Sequence, residues 1–192
     1  MTKICVYCAS STKIADVYFE AAEQLGKIFV ENNIQLVYGA GKMGLMGKIA
    51  DTMLARGGKV TGVIPQFMCA ENWHHPDLSE LIITETMHER KKMMTELADA
   101  AVALPGGVGT MEELLEIITW KQLGLFPKAI VILNVNNYYS HLLAALQNAV
   151  NENFMRPIHS QIWHTVDNPD QVLPSIGNMP IWDNTVRKFA AT

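Results

Sequence analysis

Short apolar runs alternate along the chain with longer segments in which apolar residues recur every three or four positions. The runs are KICVYC (3–8), IQLVY (34–38), KVTGVI (59–64), LIIT (81–84), AAVAL (100–104) and AIVIL (129–133), with a weaker one at IWHTV (162–166). They read as strands. Helical periodicity falls near 15–32, 44–56, 87–98, 110–122 and 138–153. Strand then helix throughout predicts a parallel sheet with helices on both faces, and continuous apolar runs suit strands covered on both sides. The expected fold is a doubly wound α/β domain over residues 1–192, with 168–192 as a C-terminal helix and tail.

Two stretches break the alternation. PQFMCAENWHHPDLSE (65–80) is the longest irregular segment, and loops of that length are usually functional or disordered. Its His74 and His75 are adjacent, a weak pattern for metal ligands that favours a structural or peripheral role over metal binding. After residue 167 come Pro169, Pro174 and Pro180 with little periodicity.

Composition narrows the function. A net charge of −4 provides no basic excess for nucleic acid, although a small anion needs only a local positive site. No apolar run is long enough for a membrane span, and the N-terminus has no secretory pattern. Three cysteines form no disulfide framework and suit a reducing cytoplasm; Cys5 and Cys8 read as core or strand-end residues. Of the residues, 49% are hydrophobic and only 18% charged, which favours surface buried against a second copy.

Two glycine loops leave the carboxyl ends of strands, where open parallel sheets bind ligands. The first, YGAGKMGLMG (38–47), contains Gly39, Gly41 and Gly44 in G-x-G-x-x-G spacing. A dinucleotide fingerprint would place an acid near the end of the next strand, where this chain has Pro65 and Gln66, so an NAD-dependent oxidoreductase is disfavoured. The second, LPGGVGTMEELLE (104–116), joins a strand to a helix whose buried face is expected at Met111, Leu114, Leu115 and Ile118. That face turns Glu112, Glu113 and Glu116 away from the core. Thr110 and Glu113 have capping-box spacing, which alone would account for one glutamate. Capping does not account for Gly106, Gly107 and Gly109, where one glycine suffices for a turn; ligand binding does.

The third element is TMHERKKMMTELA (86–98), where Thr86 and Glu89 have the same capping-box spacing. Arg90, Lys91 and Lys92 crowd the early turns of this helix, where the dipole disfavours cations. A solvated basic face and a partner across the cleft, whether anionic ligand or carboxylate, are both compatible with this pattern.

Together, PGGVGTMEE (105–113), MHERK (87–91), VYGAGKMGLMG (37–47) and the opening CVYCASS (5–11) resemble the Lonely Guy family of cytokinin-activating phosphoribohydrolases. The resemblance extends from about residue 4 to 155. It implies a Rossmann-like homodimer that cleaves the N-glycosidic bond of a nucleoside 5′-monophosphate, AMP or a cytokinin-type N6-substituted adenine nucleotide, to free base and ribose 5-phosphate. No cofactor and no metal are implied. By the same resemblance Arg90 and Glu113 are the catalytic pair, and Ser10, Gly41, Gly44, Met87, Lys91, Gly106, Gly107, Gly109, Thr110 and Glu112 contact substrate. Members have also been labelled lysine decarboxylases, but the sequence holds no pyridoxal-phosphate architecture. Ala40 stands where the family usually has a glycine, which strains the loop if φ there is positive. A non-catalytic nucleotide or cofactor carrier on the same fold is the alternative reading, against which the presence of both Arg90 and Glu113 weighs.

Overall fold

The computed structural model describes residues 2–180 and 182. All seven expected strands form: β1 (Lys3–Tyr7), β2 (Gln35–Tyr38), β3 (Val60–Pro65), β4 (Glu80–Thr84), β5 (Ala100–Ala103), β6 (Ala129–Leu133) and β7 (His164–Val166). They make one parallel sheet in the order β4-β3-β2-β1-β5-β6-β7. Helices α1 (Asp16–Glu31), α2 (Gly44–Leu54), α4 (Met87–Leu97), α5 (Val108–Gln122) and α6 (Ser140–Asn151) answer the periodic segments.

Alternate residues of each central strand serve opposite faces. Ile4 and Val6 of β1 join a core with Leu25 and Phe29 of α1 and Ile49 of α2. Cys5 and Tyr7 join the other, with Met94 of α4 and Leu114, Ile117 and Ile118 of α5. Both faces being covered explains why the strands are apolar without alternation.

One helix was not anticipated. Residues 66–70 form a short helix, α3 (Gln66–Ala70), with no buried residue, too brief to carry a periodic signature. Beyond residue 167, a 3₁₀ turn (Pro169–Gln171) leads into α7 (Val172–Gly177), a short helix inside the segment where a C-terminal helix was expected. Of the expected C-terminal tail, residues 181 and 183–192 lie outside the described residues.

This topology creates a crevice. Strand β1 is flanked by β2 and β5, and the chain winds outward from it in both directions, so the loops after β1 and β5 diverge at their carboxyl ends. Two backbone bonds hold those loops in register: Leu104 N–H to Tyr7 O at 2.9 Å and Ala9 N–H to Pro105 O at 3.2 Å.

Candidate active site

Helix α4 opens with the expected capping box. Thr86 Oγ1 accepts from the Glu89 N–H at 3.1 Å, and Glu89 Oε2 accepts from the Thr86 N–H at 3.3 Å. That start fixes the helical phase, and Arg90 falls on the inward face, 6% exposed. Its guanidinium is held on three sides. Nε donates to Val63 O at 3.0 Å, Nη2 to Gly39 O at 3.4 Å, and Nη1 to Glu113 Oε1 at 3.0 Å.

The third bond reaches α5, where the structure corrects the capping expectation. The helix begins at Val108 with Gly107 as its N-cap and no side-chain capping bond, so Thr110 lies within the first turn. Glu113 sits a turn further on and is bonded to Arg90. The buried face is likewise rotated, comprising Thr110, Leu114, Ile117, Ile118 and Lys121, while Leu115 is exposed. Glu113 is therefore directed into the crevice, rather than to solvent, with its side chain 12% exposed. Burial raises its carboxyl pKa above the usual glutamate range, and the Arg90 charge and hydrogen bond only partly oppose that.

The basic run resolves residue by residue. Lys91 is buried, with Nζ bonded to Glu112 at 2.5 Å and to Glu116 at 3.1 Å. Burial disfavours its ammonium, but the two glutamates outweigh that and raise its pKa. Lys92 instead makes an exposed pair with Glu96. Two cross-cleft partners and one surface pair replace the uniform basic face.

Two adjoining lobes open at this point and share Ser10, Met46 and Arg90. The first, about 400 Å³, is bounded by Ser10, Met87, Arg90 and the turn Gly107–Thr110, with Glu112 and Glu113 on its α5 side. The second, about 390 Å³, is bounded by Gly39, Gly41, Met43, Met68 and Trp73. Each is within the usual range of small-ligand pockets. The free N–H groups and positive dipole end of α5 face the first lobe and suit an anion.

Three sequence-predicted contacts lie outside both lobes. A Cβ on Gly44 would come within 2.4 Å of the Ser10 backbone, so this glycine, at φ +61°, packs α2 beneath the β1 loop. The Leu45 and Met46 N–H groups at the start of α2 are already bonded to Ala9 O, at 2.9 and 3.2 Å, which removes that helix end as an open phosphate site. Gly106 packs on Thr110, whose Oγ1 lies 2.1 Å from where a Cβ would stand. Lys91 Nζ is occupied by its glutamates. These residues shape the site from behind.

Ala40 takes φ +63° while fully buried, so the first glycine loop carries a left-handed alanine. The segment before β4 is strapped to this loop: Ala40 O accepts from the His75 N–H at 2.8 Å and Trp73 O from the Lys42 N–H at 3.2 Å. His75 Nε2 lies 2.8 Å from Asp51 Oδ1, and its Nδ1 accepts from the Asp77 N–H at 3.1 Å. These bonds give His75 the expected structural role. Cys5 and Cys8 are buried free thiols whose pKa values burial raises. Among the described residues no cluster of three or more His, Cys, Asp or Glu side chains is placed to hold a metal ion.

The sequence reading missed Met46 and Trp73, and it named Gly39 in the first loop without its packing against Arg90. Gly39 had a signal: a glycine closing a strand that faces an arginine-bearing helix permits close approach. A Cβ there would lie 1.9 Å from Arg90 Nη2.

A family described as "Possible lysine decarboxylase" matches residues 46–176. The chain belongs to that family. It is 40% identical over 197 residues to the cytokinin riboside 5′-monophosphate phosphoribohydrolase LOG2 of Arabidopsis thaliana, covering 97% of this chain and 92% of that one. To LOG7 of the same plant, with the same enzyme name, it is 43% identical over 171 residues, covering 89% and 79%. The resemblance read from the motifs is borne out. Among solved structures, the molybdenum cofactor carrier protein of Chlamydomonas reinhardtii superposes with a TM-score of 0.71 at 17% identity, covering 93% of this chain and 97% of that one. At that identity the likeness concerns the fold, which is Rossmann-like as expected.

Proposed function

We propose that this protein hydrolyses the N-glycosidic bond of a purine nucleoside 5′-monophosphate, releasing the free base and ribose 5-phosphate. The observation that carries the reading is the buried Arg90–Glu113 pair beside the open N-terminus of α5. The names of the relatives support the same reaction.

The residues divide the work as follows. The N–H groups of Gly107, Gly109 and Thr110, with Ser10 opposite, hold the 5′-phosphate at the positive end of the helix. Glu112 holds ribose hydroxyls, and Met87, which lines the same lobe, packs against the nucleotide beside them. Cleavage passes through an oxocarbenium-like state at C1′, which the Glu113 carboxylate stabilises while taking a proton from the attacking water. The C1′–N9 bonding pair leaves with the base, which takes up a proton from solvent, while the water oxygen bonds to C1′ and its proton passes to Glu113. Arg90 cannot serve as the acid, because a guanidinium does not lose its proton at ordinary pH. Its role is to orient Glu113.

The base is adenine or an N6-substituted adenine. The lobe bounded by Met43, Met68 and Trp73 is apolar and adjoins Arg90, which suits a base bearing an apolar substituent. The protein works as a homodimer in the cytoplasm. The outer face of α5 supports the dimer, with Val108 84% exposed and Leu115 38% exposed beside Met111 and Trp120. Light scattering after size exclusion measures that assembly, and a monomer at working concentration refutes it.

Incubation with AMP, N6-isopentenyl-AMP and adenosine tests the reaction. Free base and ribose 5-phosphate are expected from the nucleotides. Adenosine is expected to resist, since it lacks the phosphate anchor. Binding of AMP without release would favour a carrier, and equal turnover of adenosine would defeat the phosphate-anchored mode.

A further inference from the structure

The glycine turn after β5 has a second side. Behind it, away from the Arg90–Glu113 pair, lies a cavity of about 240 Å³ bounded by Ser11, Tyr18, Pro105, Gly106 and Tyr138. Gly107 borders both this cavity and the first lobe of the site, so the turn is the wall between them. Tyr138, half-exposed, crosses the rear cavity and donates its hydroxyl to Gly106 O at 2.6 Å.

The residues around Tyr138 are arranged to deliver that hydroxyl. Asn136 and Asn137 take φ values of 52° and 58°, a left-handed pair that turns the chain sharply after β6. Asn134 Oδ1 accepts from the Tyr139 N–H at 2.7 Å and fixes the turn. The two following tyrosines then reach the end of β5 side by side, Tyr139 donating to Leu104 O at 2.7 Å and Tyr138 to Gly106 O. The Tyr138 ring is supported edge-on by Tyr18 at 5.9 Å and by Tyr139 at 5.1 Å.

The carbonyl that Tyr138 holds belongs to the same peptide unit as the Gly107 N–H. In a planar trans peptide these two groups point in opposite directions. Pinning the Gly106 carbonyl to the rear therefore aims the Gly107 N–H forward, into the lobe, and a hydrogen bond to the carbonyl also polarises the N–H as a donor. Glycines on both sides of the peptide leave it otherwise free to rotate.

We propose that Tyr138 is a positioning residue for anion binding: its hydroxyl orients the Gly106–Gly107 peptide so that the Gly107 N–H meets the substrate's phosphate. The proposal rests on the reading of α5 as the phosphate end of the site. It does not require that the bound nucleotide be hydrolysed.

Tyr138→Phe keeps the ring and removes only the hydroxyl. Calorimetry with AMP, ribose 5-phosphate and adenosine should show the two phosphate-bearing ligands weakened roughly three- to tenfold, the value of one ordinary hydrogen bond. Adenosine should bind as before, and KM for AMP should rise with kcat nearly unchanged. Tyr18→Phe is the control, because among the described residues Tyr18 supports the ring but donates nothing to the turn. It should leave all three affinities intact. Unchanged binding of ribose 5-phosphate to Tyr138→Phe, or equal weakening of adenosine, overturns the proposal. So does a drop in melting temperature that accounts for the lost affinity, or a similar loss in Tyr18→Phe. If the wild type binds ribose 5-phosphate through Tyr138 yet never cleaves AMP, the hydrolase reading falls and this one stands. If it binds neither phosphate ligand, both fall.

Discussion

Arg90 and Glu113 meet at 3.0 Å across the crevice, one from the first turns of α4 and the other from α5, two helices that pack on the same face of the sheet. The arginine is also tied to Val63 O and Gly39 O, so the carboxylate has a partner whose position is set independently. A glutamate anchored in this way can be aimed at a bound substrate without reorganising during the reaction.

Glu113→Gln removes the charge while keeping the shape and an oxygen able to accept from Arg90. In the proposed reaction kcat should fall by about a hundredfold to a thousandfold, the usual loss when a preorganised electrostatic group is removed. Glu113 takes no part in capping α5, so no loss of helix capping accompanies the substitution. Steady-state kinetics with AMP and a thermal melt measure the two effects. Near-wild-type turnover combined with a lowered melting temperature would reassign Glu113 to structure.

The raised pKa of Glu113 has two consequences for pH dependence. The proposed reaction needs the ionised carboxylate, so the acid limb of kcat/KM should lie above the ordinary glutamate value of 4.5. Stability follows from the same shift. The folded state holds the Glu113 proton more tightly than the unfolded state, which contributes stability below the unfolded pKa. That contribution is lost as pH rises through the folded value. Glu113→Gln has no such proton to lose, so its melting temperature relative to wild type should climb as pH rises from 4.5 through the raised pKa. A difference that is flat or falls with pH contradicts the shift.

How much of this was legible depended on whether a signal was local. Strands β1, β5 and β6 could be read because each is a nearly unbroken apolar run, and burial on both faces preserves that signature. Strands β2 and β3 kept it despite Gln35, Thr61 and Gly62, and the edge strand β4 showed it in Leu81, Ile82 and Ile83 although it is only partly covered. The Thr86–Glu89 capping box was readable for the same reason, being a contact between residues three apart. At Thr110 the same spacing misled. Gly107 starts the helix earlier, and Glu113 is drawn to Arg90, 23 positions away in the chain, instead of back to its own N-terminus. The fate of Lys91, bound by two glutamates of α5, was equally a matter of helix packing. So was the conformation of Ala40, where the sequence could pose the question but only the backbone answers it.

Gly39→Ala tests the placement of Arg90 without touching either charged residue. The new methyl carbon would stand 1.9 Å from Nη2, so the guanidinium must move, and its bonds to Gly39 O and Val63 O move with it. A displacement of about 1 Å in a positioning group costs roughly a hundredfold in rate, and kcat/KM for AMP should fall by that order. Because the proposed phosphate site lies on α5, affinity for ribose 5-phosphate should change much less. Wild-type kinetics for Gly39→Ala would mean that Arg90 does not need its present position.

Trp73 tests what the second lobe accepts. The residue is 52% exposed, an unusual situation for a side chain of that size, yet its backbone is held firmly. Trp73 O accepts from the Lys42 N–H at 3.2 Å, and the next residue, His74, bridges to Gly41 in antiparallel fashion. A fixed backbone carrying an exposed indole offers a ready wall for an apolar group, and Met43 and Met68 line the same lobe. For a nucleotide with an isopentenyl group on N6, loss of that wall exposes part of the substituent and should cost about 1–2 kcal/mol, roughly five- to thirtyfold in kcat/KM. Plain AMP has no such group to lose contact. Trp73→Ala should therefore lower the preference for N6-isopentenyl-AMP over AMP, and Trp73→Phe should restore most of it. A loss shared equally by both substrates would show that Trp73 supports the loop instead of selecting the base.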